Sequence, residues 1–253
     1  MHPLLLHWKF LSLHTYGLFA ALAVLAGHGF TVAWARGQGR DAAAVSDSLP
    51  ALVVGGLLGA RALYVLVHWG EFAGAPVDVL KIWQGGLMWH GGVIGGVTAA
   101  ALHFHRRGMP VRAWADLFSP GLALGQALGR VGCFFAGCCY GRTCDLPWAV
   151  RFTDSAALAP LGIPLHPSQL YDAGWNVLLF FGLWRLARRP FWNPGRGRLA
   201  ALYLALAAVG RWAVEATRGD DRGSLWGPIT ATQALAVFAA VTVGVWLLKR
   251  PAS

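Results

Sequence analysis

Residues 14–34 read HTYGLFAALAVLAGHGFTVAW and contain no Asp, Glu, Lys or Arg. A helix rises about 1.5 Å per residue, so an apolar run of roughly 20 residues spans the hydrocarbon of a bilayer. Six further apolar runs of similar length follow along the chain, at 49–69, 86–105, 113–130, 169–187, 199–216 and 228–248. The pattern predicts an all-α integral membrane protein with about seven transmembrane helices, in one domain over residues 1–253.

The overall composition favours the same class. Hydrophobic residues make up 56% of the 253 positions and charged residues 13%, whereas a soluble domain has about 25% charged residues. The chain also has 33 Gly and 13 Trp, which are typical of closely packed transmembrane helices with aromatic anchors at the membrane surface. This composition excludes disordered, collagen-like and small secreted proteins. The sequence also lacks the P-loop, HExxH, GxSxG and dinucleotide motifs of common soluble enzymes.

The distribution of basic residues predicts an orientation. The formal net charge of +10 and the pI of about 10.2 are high enough to suggest a nucleic-acid partner. Many basic residues instead follow the odd-numbered apolar runs: Arg36, Arg40, Arg106, Arg107, Arg112, Arg188, Arg189, Arg196, Arg198, Lys249 and Arg250. By the positive-inside rule these connections are cytoplasmic, which places the amino terminus outside and the carboxyl terminus inside. We therefore expect membrane lipids as partners and no nucleic acid.

The longest polar connection, roughly 131–168, follows the fourth run and is predicted to be external. It contains CFFAGCCYGRTCDLPWAVRF and PLGIPLHPSQLY, and WAVRF at 148–152 predicts a short strand among turns. We expect a small external loop and strand head. Glycines recur every four residues at Gly121, Gly125 and Gly129, and in the pairs Gly91 with Gly95 and Gly92 with Gly96, a spacing that permits close helix packing.

Four segments combine glycine with residues that are expensive inside a membrane. They supply His90 in GGLMWHGGVIGG, Arg61 and Tyr64 in GARALY, Arg130 and Arg142 in GRVGCFFAGCCYGR, and Arg211 and Glu215 in GRWAVEATRGDDRG. Guanidinium groups bind phosphate through a fixed fork of donors, and histidine exchanges protons near neutral pH. Together these residues indicate a phospholipid site. Each also has a structural alternative: a hydrogen-bonded histidine, arginines that reach the interface, or an Arg211–Glu215 pair without function.

The order of the motifs resembles that of the bacterial prolipoprotein diacylglyceryl transferases. The matching pieces are Tyr16-Gly17, GAR at 59–61 with Tyr64, HGG at 90–92, LGRVG at 128–132, HPSQLY at 166–171, and Arg211 with Glu215. The resemblance implies a seven-helix enzyme of the inner membrane whose substrates are phosphatidylglycerol and the lipobox cysteine of a preprolipoprotein. The diacylglyceryl group moves to the cysteine sulfur as a thioether, and glycerol phosphate leaves. The resemblance implies no metal and no organic cofactor.

The resemblance also implies roles for individual residues. His90 takes the thiol proton or orients the lipid head group, and Arg130 and Arg211 hold the phosphate as catalytic residues. The implied substrate-binding residues are Tyr16, Arg61, Tyr64, Gly91, Gly92, Gly129, Gly132, Gly141, His166, Gln169, Tyr171 and Glu215.

The chain departs from the family pattern after the arginine of LGRVG. Where the family usually has asparagine, phenylalanine, a second asparagine and glutamate, this chain has Cys133, Phe134, Ala136 and Cys138, with Gly141 retained. Ala207 also replaces a tyrosine that usually lies one turn before Arg211. The three missing polar groups leave open a second hypothesis, a transferase of the same fold with a different acceptor.

The four cysteines are spaced C-x4-C-C-x4-C at Cys133, Cys138, Cys139 and Cys144. On an oxidising outer face they can form one or two disulfides, for which sequence allows three pairings. The spacing differs from a CxxC zinc framework, although a metal remains an alternative, as do small buried side chains. These cysteines support a third hypothesis, a membrane protein without enzymatic activity that uses its thiols for redox chemistry or metal binding.

Overall fold

The computed structural model describes residues 3–8, 11–192, 195–220, 224–226 and 229–230. Helices form most of the regular structure, with bounds α1 Thr15–Gly37, α2 Ala42–Ser46, α3 Ser48–Val67, α4 Trp69–Phe72, α5 Trp89–Arg106, α6 Val111–Ala136, α7 Ser168–Leu186 and α8 Arg198–Glu215. Short 3-10 turns cover Pro76–Leu80, Ile82–Gln84 and Pro190–Trp192. The strands β1 Leu4–Trp8 and β2 Leu11–His14 pair antiparallel, as do β3 Ser224–Trp226 and β4 Ile229–Thr230.

Six of the predicted membrane runs coincide with helices α1, α3, α5, α6, α7 and α8. Helix α5 begins at Trp89 rather than at residue 86, because Gly85 and Gly86 have the positive φ angles 89° and 71°, which interrupt a right-handed helix. Helix α6 continues to Ala136, six residues past the predicted end at 130, since the sequence VGCFFA prolongs its apolar run. The seventh predicted run, 228–248, lies outside the described residues apart from β4.

The apolar surfaces of two helical segments indicate contact with lipid. Thr15–Gly37 and Ala42–Val67 are long and apolar enough to cross a membrane, and only 22% and 17% of their most apolar windows are buried. The core helix of a soluble protein of this composition is mostly buried, whereas here large side chains such as Leu25 and Leu58 are 58% and 66% exposed. These exposed apolar faces are consistent with a helical membrane protein.

The chain divides into two compact units, Val32–Trp114 and Met1–Thr31 with Ala115–Ser253. In the first unit, α3 and α5 pack through the predicted glycines. A Cβ added at Gly95 would lie 2.8 Å from the Cα of Gly59, and one at Gly91 would meet the carbonyl oxygen of Gly59. The close helix approach predicted for Gly91 and Gly95 is confirmed, since any side chain at either position would separate the two backbones.

In the second unit, α1 and the middle of α6 approach each other through glycine in the same way. A Cβ at Gly27 would lie 2.5 Å from the carbonyl oxygen of Gly121, and one at Gly125 would lie 3.0 Å from that of Ala23. Gly129 continues the same row, but nothing lies within 4 Å of the position its Cβ would take. The predicted row therefore packs over its first two glycines and not its third.

Asp116 fixes the start of α8. Its side chain is fully buried and accepts hydrogen bonds from the backbone N–H groups of Gly195, Gly197 and Ala200 at 2.9, 2.7 and 2.8 Å. The first N–H groups of a helix have no partner within the helix, and a carboxylate is the best acceptor for them because it also complements the helix dipole. Asp116 thereby ties α6 to the helix that contains Arg211.

Between α6 and α7, the backbone forms isolated β-bridges and no continuous strand. Val150 and Leu165 exchange backbone hydrogen bonds of 2.9 and 3.0 Å, and Phe152 pairs with Leu161. Phe152 and Leu165 are nearly inaccessible and form a small hydrophobic core with Ala159. The strand expected over 148–152 is thus limited to isolated bridges at Val150 and Phe152.

Candidate functional site

A cluster of charged side chains joins α6, α7 and α8. The Nε of Arg130 lies 2.8 Å from Oδ2 of Asp172, and Nη1 of Arg211 lies 3.9 Å from the same oxygen. Arg211 also donates a hydrogen bond through Nη2 to the carboxylate of Glu215, one turn further along α8. The predicted residues Arg130, Arg211 and Glu215 therefore lie together, with two guanidinium groups held by one carboxylate.

The sequence analysis missed Asp172, the centre of this cluster. Asp172 is 5% exposed, and its Oδ1 accepts a hydrogen bond of 2.9 Å from Nδ2 of Asn176. A buried carboxylate is stable only when it is paired and hydrogen-bonded, as it is here. The signal available in the sequence was its position directly after HPSQLY, four residues past the end of the polar connection at 168.

Backbone pairing brings three chain segments to one end of the cluster. The N–H of Arg142 donates to the carbonyl of Thr217 at 2.9 Å, and that of Gly219 donates to Tyr140 at 3.1 Å. The Ser168 hydroxyl lies 2.7 Å from the Thr217 hydroxyl. The loop after α6, the start of α7 and the end of α8 therefore form one structure.

Gly141 is required at the centre of this pairing. A Cβ at position 141 would lie 2.5 Å from Cβ of His166 and 2.6 Å from Oγ of Ser168, both closer than side chains tolerate. Its predicted place in the site thus agrees with the geometry of the loop.

The HPSQLY segment orients polar side chains on the same loop. Trp148 donates through Nε1 to the Tyr171 hydroxyl at 2.7 Å, and Nδ1 of His166 lies 3.4 Å from that hydroxyl. Gln169 is 1% exposed, and its Nε2 donates to the carbonyl of Cys138 at 2.8 Å. Its Oε1 is buried and accepts no hydrogen bond from any residue that the structure describes.

Tyr16 lies at the start of α1 and is 44% exposed. A Cβ at Gly132 would lie 3.6 Å from the Tyr16 ring and 2.6 Å from Cβ of Phe19. Gly132 therefore allows the beginning of α1 to pack against α6. The structure brings these two predicted residues together.

In the other unit, Arg61 anchors a loop. It is 7% exposed and donates to four backbone carbonyls: Asp78 at 2.6 Å, Val79 at 2.8 Å, Gly85 at 2.8 Å and Gly86 at 3.2 Å. Because the loop carbonyls occupy four of its five N–H donors, Arg61 shapes this segment.

Tyr64 supports the same loop, and His90 lies beyond it. The Tyr64 ring stacks on His68 with 4.3 Å between centroids, and a Cβ at Gly86 would lie 2.6 Å from Cε1 of Tyr64. His90 is exposed in the first turn of α5 and contacts the ring of Trp89 edge-on. A Cβ added at Gly92, next to the buried Gly91, would lie at ordinary contact distances from the atoms of α3.

None of the four cysteines, which all lie within the described part of the chain, forms a disulfide. The structure therefore contains none of the disulfides considered from the sequence. Hydrogen bonds from the thiols of Cys133 and Cys138, followed by the guanidinium of Arg218, lower the pKa of the Cys139 thiol. Arg218 is a second residue that the sequence analysis missed, because its contact depends on the path of the loop.

Comparison with known proteins identifies the family. The model of the family described as prolipoprotein diacylglyceryl transferase matches residues 3–249. The chain belongs to the prolipoprotein diacylglyceryl transferase family. The match spans both compact units and every motif quoted above.

Relatives in the family are similar over most of their length. The phosphatidylglycerol–prolipoprotein diacylglyceryl transferase of Clostridium tetani is 34% identical over 252 residues, covering 98% of this chain and 97% of the relative. The enzyme of the same name from Symbiobacterium thermophilum is 35% identical, covering 96% and 91%. That from Synechococcus elongatus is 37% identical, covering 83% and 75%. The resemblance inferred from short motifs is confirmed.

Proposed function

We propose that this chain transfers the diacylglyceryl group of phosphatidylglycerol to the lipobox cysteine of preprolipoproteins. The observation that carries this proposal is the family match over residues 3–249, together with relatives of that name that align over nearly their whole length. The thiolate attacks the diacylglyceryl carbon, the carbon–oxygen bond to phosphate breaks, and a thioether forms. Glycerol phosphate leaves with the electron pair, and the thiol proton goes to a base.

We propose that Arg130 and Arg211 bind the phosphate that becomes the leaving group. Arg130 pairs with Asp172 through Nε, and its side chain remains 27% exposed. Guanidinium N–H groups that are already in position stabilise the negative charge that develops on the departing phosphate. Such electrostatic stabilisation is usually the largest single contribution to lowering the barrier of a reaction. Asp172 and Glu215 hold the two arginines in place, and Glu215 thereby shapes the substrate site.

We propose that His90 acts on the thiol side of the reaction. A cysteine thiol has a pKa of about 8.5, so a base or an orienting group is needed for attack at neutral pH. His90 is exposed, with glycines on its carboxyl-terminal side, which leaves its ring accessible to a substrate. Its role as base or orienting group rests on the family resemblance.

The remaining predicted residues have substrate-binding or supporting roles in this proposal. Gln169 offers an unpartnered buried oxygen to a glycerol hydroxyl. His166 and Tyr171 order the loop, and Gly129, Gly132 and Gly141 allow close approach. In the other unit, Arg61 and Tyr64 order the loop before α5, while Tyr16 lies at the start of α1. Gly91 and Gly92 flank His90.

We also propose the full membrane arrangement predicted from the sequence. It has seven spans in one domain over residues 1–253, a small external head and an outer amino terminus in the bacterial inner membrane. Support comes from the basic residues after the odd-numbered runs. The segments 9–10, 193–194, 221–223, 227–228 and 231–253 take part in this proposal by sequence alone.

The test is transfer by the purified, detergent-solubilised protein to a lipobox peptide. With phosphatidylglycerol present, mass spectrometry is expected to find a diacylglyceryl addition on the peptide cysteine. A peptide with serine at that position, and a zwitterionic phospholipid in place of phosphatidylglycerol, serve as controls without product. A folded protein that binds phosphatidylglycerol but modifies no peptide would contradict the proposal.

The cysteine-rich departure favours a second candidate, a transferase that uses phosphatidylglycerol with a different acceptor. Cys133, Ala136 and Cys138 replace three polar groups of the family pattern next to Arg130. This candidate predicts release of glycerol phosphate in the absence of lipobox peptide, or only with another nucleophile. The same assay distinguishes the two candidates when the released glycerol phosphate is measured beside the peptide product.

A further inference from the structure

Three of the four cysteines meet where α6 ends. The Sγ atoms of Cys133, Cys138 and Cys139 all lie within 4.8 Å of one another, although four residues lie between the first and the second. Helix α6 ends at Ala136, and the chain then reverses through Gly137 and Cys139, whose φ angles are +71° and +58°. A side chain in this left-handed region is uncommon outside glycine. The turn folds the two loop thiols back onto the thiol in the last turn of the helix.

The cluster is held from outside by hydrogen bonds to its backbone. Nε2 of the buried Gln169 donates to the carbonyl of Cys138 at 2.8 Å, and the N–H of Gly219 donates to the carbonyl of Tyr140 at 3.1 Å. The loop that contains two of the thiols is therefore fixed to α7 and to the end of α8. Metal-binding side chains that are held in position before the ion arrives lose little entropy when they bind it.

A buried cation lies directly against the sulfur atoms. The guanidinium of Arg218 hydrogen-bonds the thiol of Cys139, and its side chain is 4% exposed. Asp220 holds Arg218 through two contacts, Nε to Oδ1 at 2.8 Å and Nη2 to Oδ2 at 2.5 Å. Outer groups that donate to a ligand atom, and are themselves anchored, are typical of metal centres.

We propose that Cys133, Cys138 and Cys139 form a three-thiolate binding site for a thiophilic d10 cation, Zn²⁺ or Cu⁺. Zinc–sulfur bonds of about 2.3 Å place the sulfur atoms of a tetrahedral site about 3.8 Å apart, within reach of the observed cluster. Thiolate ligands select soft or borderline cations over Mg²⁺ and Ca²⁺. Zn²⁺ neutralises two of the three thiolate charges and Cu⁺ neutralises one, and the hydrogen bond from Arg218 to Cys139 helps to stabilise the charge that remains.

Cys144 does not take part in this site. It belongs to the same motif but lies outside the three-thiol cluster, and its N–H donates to the carbonyl of Pro164 at 3.1 Å. The C-x4-C-C-x4-C spacing therefore does not define the ligand set, because the fold selects three of its members. The proposed site is separate from phosphate binding by Arg130, although Cys133 lies one turn further along α6.

The test is reconstitution of the full-length protein in detergent after reduction and removal of metal by a chelator. Zn²⁺ and Cu⁺ are supplied separately, and bound metal is measured by mass spectrometry after gel filtration. We expect about one ion of at least one metal per chain, and loss of that ion in Cys139→Ser. Cys144→Ser is the matched control and is expected to retain it. Co²⁺ as a probe is expected to give thiolate-to-cobalt charge-transfer absorption in Cys144→Ser and not in Cys139→Ser.

A second measurement needs no variant of the cluster. In the wild-type protein, the bound metal is expected to slow alkylation of Cys133, Cys138 and Cys139 at least tenfold relative to the metal-free protein, and to leave Cys144 unchanged. Binding of neither metal to the reduced, folded protein would overturn the proposal, as would equal binding by Cys139→Ser. A disulfide between cluster cysteines that persists after reduction and blocks metal binding would also overturn it.

Discussion

Asp172 determines the geometry of the candidate site at the scale of single residues. One carboxylate, supported by Asn176, holds the guanidinium of Arg130 at 2.8 Å and lies 3.9 Å from that of Arg211. Removing one partner of a buried charge cluster leaves the others without compensation, which is more costly than the gain from forming the pair. The two arginines therefore depend on a residue outside the matched motifs.

Asp172→Asn keeps the size of the side chain and removes its charge. We expect the variant to lose on the order of 2 kcal/mol of stability, since Arg130 is partly exposed and water compensates some of the loss. Transfer activity is expected to fall at least tenfold because the arginines lose their fixed positions. Thermal melting in detergent and the peptide assay measure the two effects.

Asp145→Asn is the matched control for this change. Asp145 is exposed on the loop between α6 and α7, so the same loss of charge is expected to leave both measurements unchanged. Equal melting temperatures and equal transfer rates for the Asp172 variant and wild type would show that the carboxylate does not position the arginines.

At the scale of elements, glycine determines how closely helices pack. Helices α3 and α5 approach so closely that the backbone of one occupies the space of a Cβ on the other at Gly91 and Gly95. The four-residue spacing predicts this contact from sequence because residues i and i+4 share a helix face. The same rule overpredicts at Gly129, because a row of residues four apart drifts around a helix of 3.6 residues per turn, and Gly132 instead meets α1 at Phe19.

Gly95→Ala and Gly96→Ala form a matched pair on α5. A Cβ at position 95 would lie 2.8 Å from Cα of Gly59, whereas one at position 96 would lie 3.7 Å from the nearest carbonyl oxygen, at Leu52. Gly95→Ala is expected to destabilise the protein by about 1–3 kcal/mol through overpacking. Gly96→Ala is expected to be neutral or slightly stabilising, since alanine favours helix. Equal melting temperatures of the two variants would contradict the close packing of α5 on α3 at Gly95.

Asp116 gives a prediction for the start of α8. Asp116→Asn leaves one amide oxygen in place of two carboxylate oxygens for three backbone N–H donors, so at least one buried donor loses its partner. The expected cost is about 1–3 kcal/mol, measured as a lower midpoint of unfolding. Asp47→Asn removes an exposed ion pair to Arg107 and is expected to cost less than 1 kcal/mol, about the value of surface pairs. A larger loss of stability in Asp47→Asn than in Asp116→Asn would contradict the role of Asp116 at the start of α8.

At the scale of the whole molecule, the sequence predicts what depends on local composition. Apolar runs predict six of the observed helices because span length and hydrophobicity are properties of contiguous residues. Contacts between residues far apart in the sequence are harder to predict in this way. The four carbonyls around Arg61, the contact of Arg218 with Cys139 and the convergence of three thiols all follow from loop paths that no spacing rule encodes.

The charge pattern predicts an orientation that one fusion experiment can check. Basic residues follow the odd-numbered apolar runs, so the carboxyl terminus is expected in the cytoplasm. A green fluorescent protein fused there is expected to fold and fluoresce, whereas a periplasmic alkaline phosphatase fused there is expected to remain inactive. The reverse pattern would contradict the seven-span arrangement with an outer amino terminus.

In the proposed diacylglyceryl transfer, Arg130 stabilises the departing phosphate. The most direct measurement compares thioether formation on a lipobox peptide by wild-type protein, Arg130→Gln and Arg107→Gln, each purified and folded. Arg107 is an exposed residue in the other unit, so its variant removes an equal charge from a surface ion pair. We expect thioether product from wild type and from Arg107→Gln. The rate of thioether formation by Arg130→Gln is expected to be at least about 100-fold lower. Equal rates for all three proteins would contradict this role of Arg130.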